Sequence, residues 1–289
     1  MYGLVVSAAI FSAFLDASAA VLQRRATGQI AARELFRGSI LAAAIKHRLW
    51  VAGVFVQILA FFVQAIALAN GPLVVVAPLL TTDLVFLLLL IHFGLGLRVR
   101  RRAWLAMLAL ALGLSGLLVA TNPRGGHIPV NGWLWLLTFF IVGTVIAVGA
   151  FAMRHTRSIH IRAVIGGVTA GAHFGLTAAV TKLVLQQLQY GVWHEFASWE
   201  LYALIIIGVS SVLTMQSMYG SGPLAITQPA LEITVTLQGI LIGIFLFGDH
   251  VNGSTGSLAI TFGSALLLAL GIIFLGNADQ TPDLAKRIA

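Results

Sequence analysis

Three carboxylic acids, Asp16, Asp83 and Glu232, lie well inside long apolar stretches of the chain. An ionisable side chain is costly in such a stretch, and in membrane proteins it usually marks a substrate pathway or a proton relay. Paired carboxylates also bind cations through oxygen. The three acids therefore predict a cavity for a substrate or a coupling ion, although a buried acid bonded to a neighbouring hydroxyl or lysine is the alternative. The identity of any metal stays unknown.

Other polar residues within apolar stretches are assigned to the same cavity: Gln64, Gln228 and His173. Intramembrane amides also join helices to each other, so each is weaker evidence than an acid. Lys182 lies near the end of its apolar stretch and is expected to extend its ammonium group to the interface. Whether Lys182 pairs with an intramembrane acid is left open. Asp249 follows an apolar stretch and is expected to be solvated.

The composition predicts a polytopic membrane protein. Of the 289 residues, 59% are hydrophobic and 9% are charged, whereas a soluble domain has about 25% charged residues. A membrane-spanning helix needs about 20 apolar residues. Nine such stretches are predicted as transmembrane helices: Gly3–Leu22, Trp50–Ala69, Leu73–Phe93, Ala103–Thr121, Trp133–Met153, Ala163–Leu188, Leu201–Met218, Leu224–Phe247 and Gly256–Gly276.

The basic residues predict the orientation. All but two of the 17 Lys and Arg residues fall in the first, third and fifth loops and in the tail, and basic loops face the cytoplasm. The N-terminus is therefore expected outside and the C-terminus inside, in a plasma (inner) membrane. The net charge of +8 is explained by these loops, so no nucleic-acid partner is expected. The tryptophans lie at span edges or in the sixth loop, which predicts an aromatic belt.

A repeated motif divides the chain into two halves. Gly71-Pro72-Leu73 recurs as Gly222-Pro223-Leu224, and each copy is followed by a second proline, Pro78 or Pro229. Four spans precede and four follow the fifth span, so the second half enters the membrane from the opposite side, as in inverted-repeat transporters. We expect a first four-helix repeat at 1–122, a linker helix at 123–160, a second repeat at 161–277 and a cytoplasmic tail at 278–289.

Proline and glycine positions predict the local geometry of these helices. Pro72 and Pro223 are expected to form tight hairpins, and Pro78 and Pro229 to break or kink their helices. Static bends are the alternative. Gly167, Gly171 and Gly175 recur every four residues and predict a packing stripe that allows close helix approach.

Three stretches resemble the drug/metabolite transporter (DMT) superfamily, and within it most closely the NIPA-type magnesium transporters and the EamA-like group. They are SAAIFSAFLDASAAVLQRR, QAIALANGPLVVVAPLLTTDLVF and QSMYGSGPLAITQPALEITVT. The resemblance implies inverted repeats, alternating access and no catalytic step. For the NIPA-type group it also implies magnesium as the substrate, with Asp83 and Glu232 as the best ligands.

The sequence therefore predicts a secondary transporter that moves a small molecule or a cation around a central cavity. The chain has no cysteine, and it has no phosphate-binding loop, zinc-protease motif or nucleophile elbow. We expect no enzyme activity and no cofactor. A NIPA-like magnesium transporter is the first alternative, and a membrane scaffold that docks a partner through the basic first loop is the second. The lipid bilayer is the expected surrounding, and a homodimer is left open.

Overall fold

The computed structural model describes residues 2–27, 47–94, 101–121, 132–188, 191, 196, 198–219, 224–249 and 255–278, and among these residues all regular structure is helical. The helices are Tyr2–Thr27 (α1), Arg48–Asn70 (α2), Leu73–Leu80 (α3), Asp83–Leu89 (α4), Arg101–Thr121 (α5), Gly132–His155 (α6), Ile159–Gln187 (α7), Trp199–Tyr219 (α8), Leu224–Phe245 (α9) and Thr255–Ala278 (α10). A π-helical turn, Leu90–Gly94, extends α4.

Four helical segments in this part of the chain are long and apolar enough to cross a membrane: Gly3–Gln23, Arg48–Asn70, Gly132–His155 and Ile159–Gln187. Shorter apolar helical segments are Leu73–Leu89, Trp199–Met215, Ala230–Phe245 and Gly256–Gly271. The prediction of an all-helical protein is confirmed for the described residues, and these helices make it compatible with a membrane protein. The number of nine spans stays a prediction.

The outer surface of the bundle is apolar. Helix α6, which falls within the predicted linker region 123–160, packs against α7 and exposes Trp133, Phe140 and Phe151 on its other side. Large exposed apolar surfaces of this kind need an apolar surrounding. A lipid bilayer provides one.

Helix α7 is the central helix of the bundle. Most of its residues between Ala163 and Val184 are buried, because α6, α8, α9 and α2 pack around it. The predicted glycine stripe is part of this packing. A Cβ atom at Gly171 would lie 2.6 Å from the carbonyl oxygen of Leu231, and one at Gly175 would lie 2.6 Å from Oε1 of Gln238. Only glycine lets α7 and α9 approach this closely.

The two halves of the chain pack in a similar order. In the first half α1 contacts α2, α3 and α4, and in the second half α7 contacts α8 and α9. Two further contacts join helices at equivalent positions of the two halves: α3 with α9, and α5 with α10. The contacts of α3 with α9 and of α5 with α10 therefore form much of the boundary between the halves.

The two proline-containing helices differ. The first is interrupted at Thr81 and Thr82, where the hydroxyl groups donate hydrogen bonds of 2.7 Å to the carbonyls of Pro78 and Leu79. The Thr81 and Thr82 amides bond the same two carbonyls, three residues back, instead of continuing the α-helical pattern. Helix α9 instead runs through Pro229 as one helix. The predicted break is therefore present after Pro78, and α9 has no corresponding interruption.

A difference in hydroxyl groups explains why only one helix is interrupted. The motif alignment places Glu232 and Ile233 at the positions of Thr81 and Thr82. Neither side chain carries a hydroxyl group that could bond a backbone carbonyl and compete with the helix.

Pro72 precedes the first residue of α3, and its carbonyl accepts the amides of Val75 and Val76. It thereby forms the turn between α2 and α3. Pro223 lies outside the described residues.

The tryptophan prediction was wrong for part of the set. Trp135 is 3% exposed, and its ring contacts those of Phe139, Trp199 and Phe247. Trp50 is also buried. These two rings pack inside the bundle because neighbouring helices cover them, so they do not belong to an aromatic belt.

Candidate functional site

Asp16 is held by an amide from the neighbouring helix. The Nε2 group of Gln57, on α2, donates a 2.6 Å hydrogen bond to Oδ1 of Asp16, on α1. The Nε2 group of Gln23 donates in turn to Oε1 of Gln57 over 3.4 Å. One turn before Asp16, the Ser12 hydroxyl donates to the carbonyl of Ala60 and fixes the register of α1 on α2. The carboxyl group of Asp16 is thus positioned before any ligand binds.

Asp83 is the first residue of α4 and follows the helix interruption directly. The Oδ1 atom of its carboxyl group is buried without a hydrogen-bond partner among the described residues. A buried oxygen that lacks a partner is costly, so it indicates a place for a proton or a ligand. The interruption at Thr81 and Thr82 therefore places an unsatisfied carboxyl oxygen inside the bundle.

Glu232 supplies the third acid, from the second half of the chain. It is 6% exposed, and its Oε1 atom accepts a 3.2 Å hydrogen bond from Nε2 of Gln228, one turn earlier on α9. The carboxyl groups of Glu232 and Asp83 lie within hydrogen-bonding reach of each other, and Asp16 is close enough for its charge to act on both. We call Asp16, Asp83 and Glu232 the carboxyl cluster.

The carboxyl cluster has no described cation beside it. The interactions that act on the three acids come from one another, from hydrogen-bonding groups and from burial, and none comes from a described lysine or arginine. Like charges at such range repel strongly where water is excluded. Protons or a bound cation must offset that repulsion, so the cluster can exchange protons or bind a positively charged group.

Metal binding has little geometric support. Among the described residues, no group of three or more His, Cys, Asp or Glu side chains is arranged to hold a metal ion. The carboxyl cluster is therefore more open than a cage for a dication, which needs about six oxygen ligands. The magnesium interpretation of the sequence gains nothing from this arrangement.

Two of the predicted cavity residues are not among the described groups that act on the three acids. Gln64 is on α2, two turns after Gln57 and partly buried, and the amide that bonds Asp16 is that of Gln57. His173 is buried on α7, and its Nδ1 atom has no hydrogen-bond partner among the described residues. Gln57 is another intramembrane amide that the sequence offers for a polar cavity, whereas Gln23 was missed as a site residue. A helical spacing of seven residues puts Gln57 and Gln64 on one face, and only the packing against α1 distinguishes them.

The predictions for Lys182 and Asp249 were wrong. Lys182 is 4% exposed and does not extend to an interface; its Nζ atom lies 3.6 Å from Oδ1 of Asp249. Asp249 is 3% exposed rather than solvated. The turn after α9 folds back, and the Asp249 amide donates to the carbonyl of Gly243 over 2.8 Å. This turn carries the carboxylate into the bundle, which a position just after an apolar stretch does not reveal.

The chain is similar to an uncharacterized protein of Corynebacterium glutamicum, with 28% identity over 288 residues, 98% of this chain and 98% of that protein. No protein-family model matches the chain. No solved structure matches it either. The resemblance to the drug/metabolite transporter superfamily stays a prediction from the motifs.

Proposed function

We propose that this protein is an integral-membrane secondary transporter that moves a small solute by alternating access around the carboxyl cluster. One observation carries the proposal: Asp16 and Asp83 from the first half meet Glu232 from the second half inside an apolar bundle. Buried acids at a boundary between halves are typical of sites for substrates and coupling ions. A relative movement of the halves would change the surroundings of all three acids at once.

The architecture that we propose has nine spans, formed by two inverted four-helix repeats and a linker helix. The similar packing order of the halves supports it, with α1 against α2, α3 and α4, and α7 against α8 and α9. The peripheral position of α6 fits a linker between repeats. The basic loops support an N-terminus outside and a C-terminus inside a plasma (inner) membrane.

The cluster's role in this proposal is to bind coupling protons or a cationic substrate. Gln57 and Gln228 orient two of the acids through amide hydrogen bonds. Among the described residues these donors are neutral amides and no fixed positive charge acts on the cluster, so its charge balance depends on what enters it. A soluble cation or a proton can therefore act as the partner that the site lacks.

Transport by purified protein in liposomes tests the proposal. Liposomes containing a pH-sensitive dye would be exposed to magnesium, amino acids, sugars and cationic drugs in turn. We expect one solute class to cross together with protons faster than in protein-free liposomes, and Asp83→Asn to reduce that proton flux about tenfold or more. If no class crosses faster, the membrane-scaffold alternative becomes the better interpretation.

A further inference from the structure

We infer that the Lys182–Asp249 ion pair is a gate that closes one end of the path to the carboxyl cluster. The inference rests on the proposed transport function and adds a conformational element to it. In the proposed topology this end of the bundle faces outside, because Asp249 follows α9 and Lys182 lies near the end of α7. The structure described here has the gate closed.

Asp249 joins three parts of the bundle. One carboxylate oxygen, Oδ1, pairs with Nζ of Lys182 on α7, and the other, Oδ2, accepts the backbone N–H of Val74 over 3.3 Å. Val74 is the second residue of α3, where a negative charge is favoured by the unbonded amides of the helix N-terminus. A single carboxylate therefore ties the first half of the chain to α7 and to the end of α9.

The packing around the pair leaves little space at this end. A Cβ atom at Gly243 would lie 2.7 Å from Oδ2 of Asp249 and 2.7 Å from Cγ2 of Val74. The Lys182 ammonium group also lies 4.7 Å from the centre of the Phe247 ring, and Trp135 packs edge-on against that ring. The pair is thus enclosed by aromatic and backbone groups.

The pair and the cluster lie at different levels of the same helices. Along α9, Glu232 precedes Gly243 by eleven residues, or about 16 Å at 1.5 Å per residue. Along the first half, Val74 comes before the interruption and Asp83 after it. To expose the cluster at this end, α3 and α9 must separate at Val74 and Gly243, and that movement breaks the Val74–Asp249 bond. The ammonium group of Lys182 and the carboxylate of Asp249 would then each need hydration, so the gate opens only when water enters this end of the bundle.

A cysteine reporter between the two levels tests the inference. Thr236 lies one turn past Glu232 on α9; it is buried, and its hydroxyl oxygen has no hydrogen-bond partner among the described residues. Since the chain has no cysteine, Thr236→Cys introduces a single thiol. The rate at which this thiol reacts with a hydrophilic maleimide would be measured in the purified Thr236→Cys variant. The measurement would be repeated in variants that also carry Asp249→Asn or Lys182→Met.

We expect both gate variants to raise the rate at Thr236→Cys by about tenfold or more, as the open state becomes populated. Glu200→Gln is the matched control, because Glu200 is another buried acid, on α8, and should leave the rate unchanged. Ser257→Cys, buried between α5 and α10, should stay slow in the gate variants. An unchanged rate at Thr236→Cys overturns the inference, and so does an equal rise at Ser257→Cys, which indicates general loosening.

The labelling result is independent of transport. If labelling rises as expected but wild-type protein carries no solute in liposomes, the gate exists and the proposed function fails. If solutes cross but neither gate variant changes the labelling rate, the transport function stands and the gate is wrong.

Discussion

The carboxyl groups of Asp83 and Glu232 lie within hydrogen-bonding reach of each other, although the residues belong to different halves of the chain. Two adjacent carboxylates cannot both remain charged in an apolar interior without a compensating proton or cation. In the transport mechanism that we propose, this contact couples the occupancy of the site to the relative position of the halves. This coupling is what a carrier needs in order to link binding to a conformational change.

Replacing either acid of the Asp83–Glu232 contact by its neutral amide should uncouple proton movement from solute transport. We expect Asp83→Asn and Glu232→Gln each to reduce solute-driven proton flux about tenfold or more, which lies in the usual range of coupling free energies. Each amide keeps the shape of the original side chain and a hydrogen-bonding group. A loss of proton flux would therefore be due to the missing ionisable oxygen. Proton flux is measured with a pH-sensitive dye in proteoliposomes.

Glu200→Gln provides the control for this pair of variants, since it removes a buried acid outside the cluster. Its flux should equal that of the wild type. Equal losses in all three variants would mean that any buried acid is needed for folding, and the special role of the Asp83–Glu232 contact would be wrong.

Gln57 should matter more than Gln64. Gln57→Leu removes the 2.6 Å hydrogen bond to Asp16, so Asp16 loses its orientation, and we expect transport to fall several-fold. Gln64→Leu, two turns later on the same helix, makes the same chemical change away from that bond and should have a much smaller effect. Initial rates of solute uptake would be compared at equal protein content. A larger loss for Gln64→Leu would contradict the assignment.

The glycine stripe should be sensitive to a single methyl group. Gly171→Ala would place a Cβ atom 2.6 Å from the Leu231 carbonyl, which forces α7 and α9 apart at a cost of about 1–3 kcal/mol. We expect a lower melting temperature in detergent. Gly143→Ala is the matched control, because a Cβ atom at Gly143 meets no atom within 4 Å. Equal melting temperatures for the two variants would show that the stripe is not under packing constraint.

The helix interruption should be needed for function but not for stability. Replacing Thr81 and Thr82 by Val removes the hydroxyl groups that bond Pro78 and Leu79, which favours a more regular helix through Asp83. We expect slower transport with an unchanged or higher melting temperature. Thr234→Val on the uninterrupted α9 is the control, since its hydroxyl bonds the Ala230 carbonyl four residues back. Full activity in the double Val variant would contradict a functional role for the interruption.

The sequence was sufficient to predict that the chain is helical and that Asp16, Asp83 and Glu232 lie within its helices. Long apolar stretches define the helices, and an ionisable residue within them points inward because lipid offers it no partner. It was not sufficient to choose Gln57 over Gln64, because both lie on one face of α2 and the register against α1 decides between them. It also misplaced Asp249, because local polarity after an apolar stretch resembles a solvated loop, and only the turn that returns to Gly243 buries the carboxylate.

The hydroxyl pattern did contain a signal that was not used. Both halves carry the paired prolines, but only the first follows them with two threonines, Thr81 and Thr82. Adjacent hydroxyl side chains that can bond carbonyls three residues back favour a local turn over a continued helix. The interruption between α3 and α4, with no matching interruption in α9, could therefore have been predicted from the positions of these threonines in the sequence.

The most direct test of the central claim is solute-driven proton flux in proteoliposomes, compared between wild-type protein and the triple variant Asp16→Asn, Asp83→Asn and Glu232→Gln. The panel would contain magnesium, amino acids, sugars and cationic drugs. The account predicts that one solute class moves protons in the wild type and that the triple variant, although it folds and reconstitutes normally, moves none. Transport at the wild-type rate by the triple variant would contradict it.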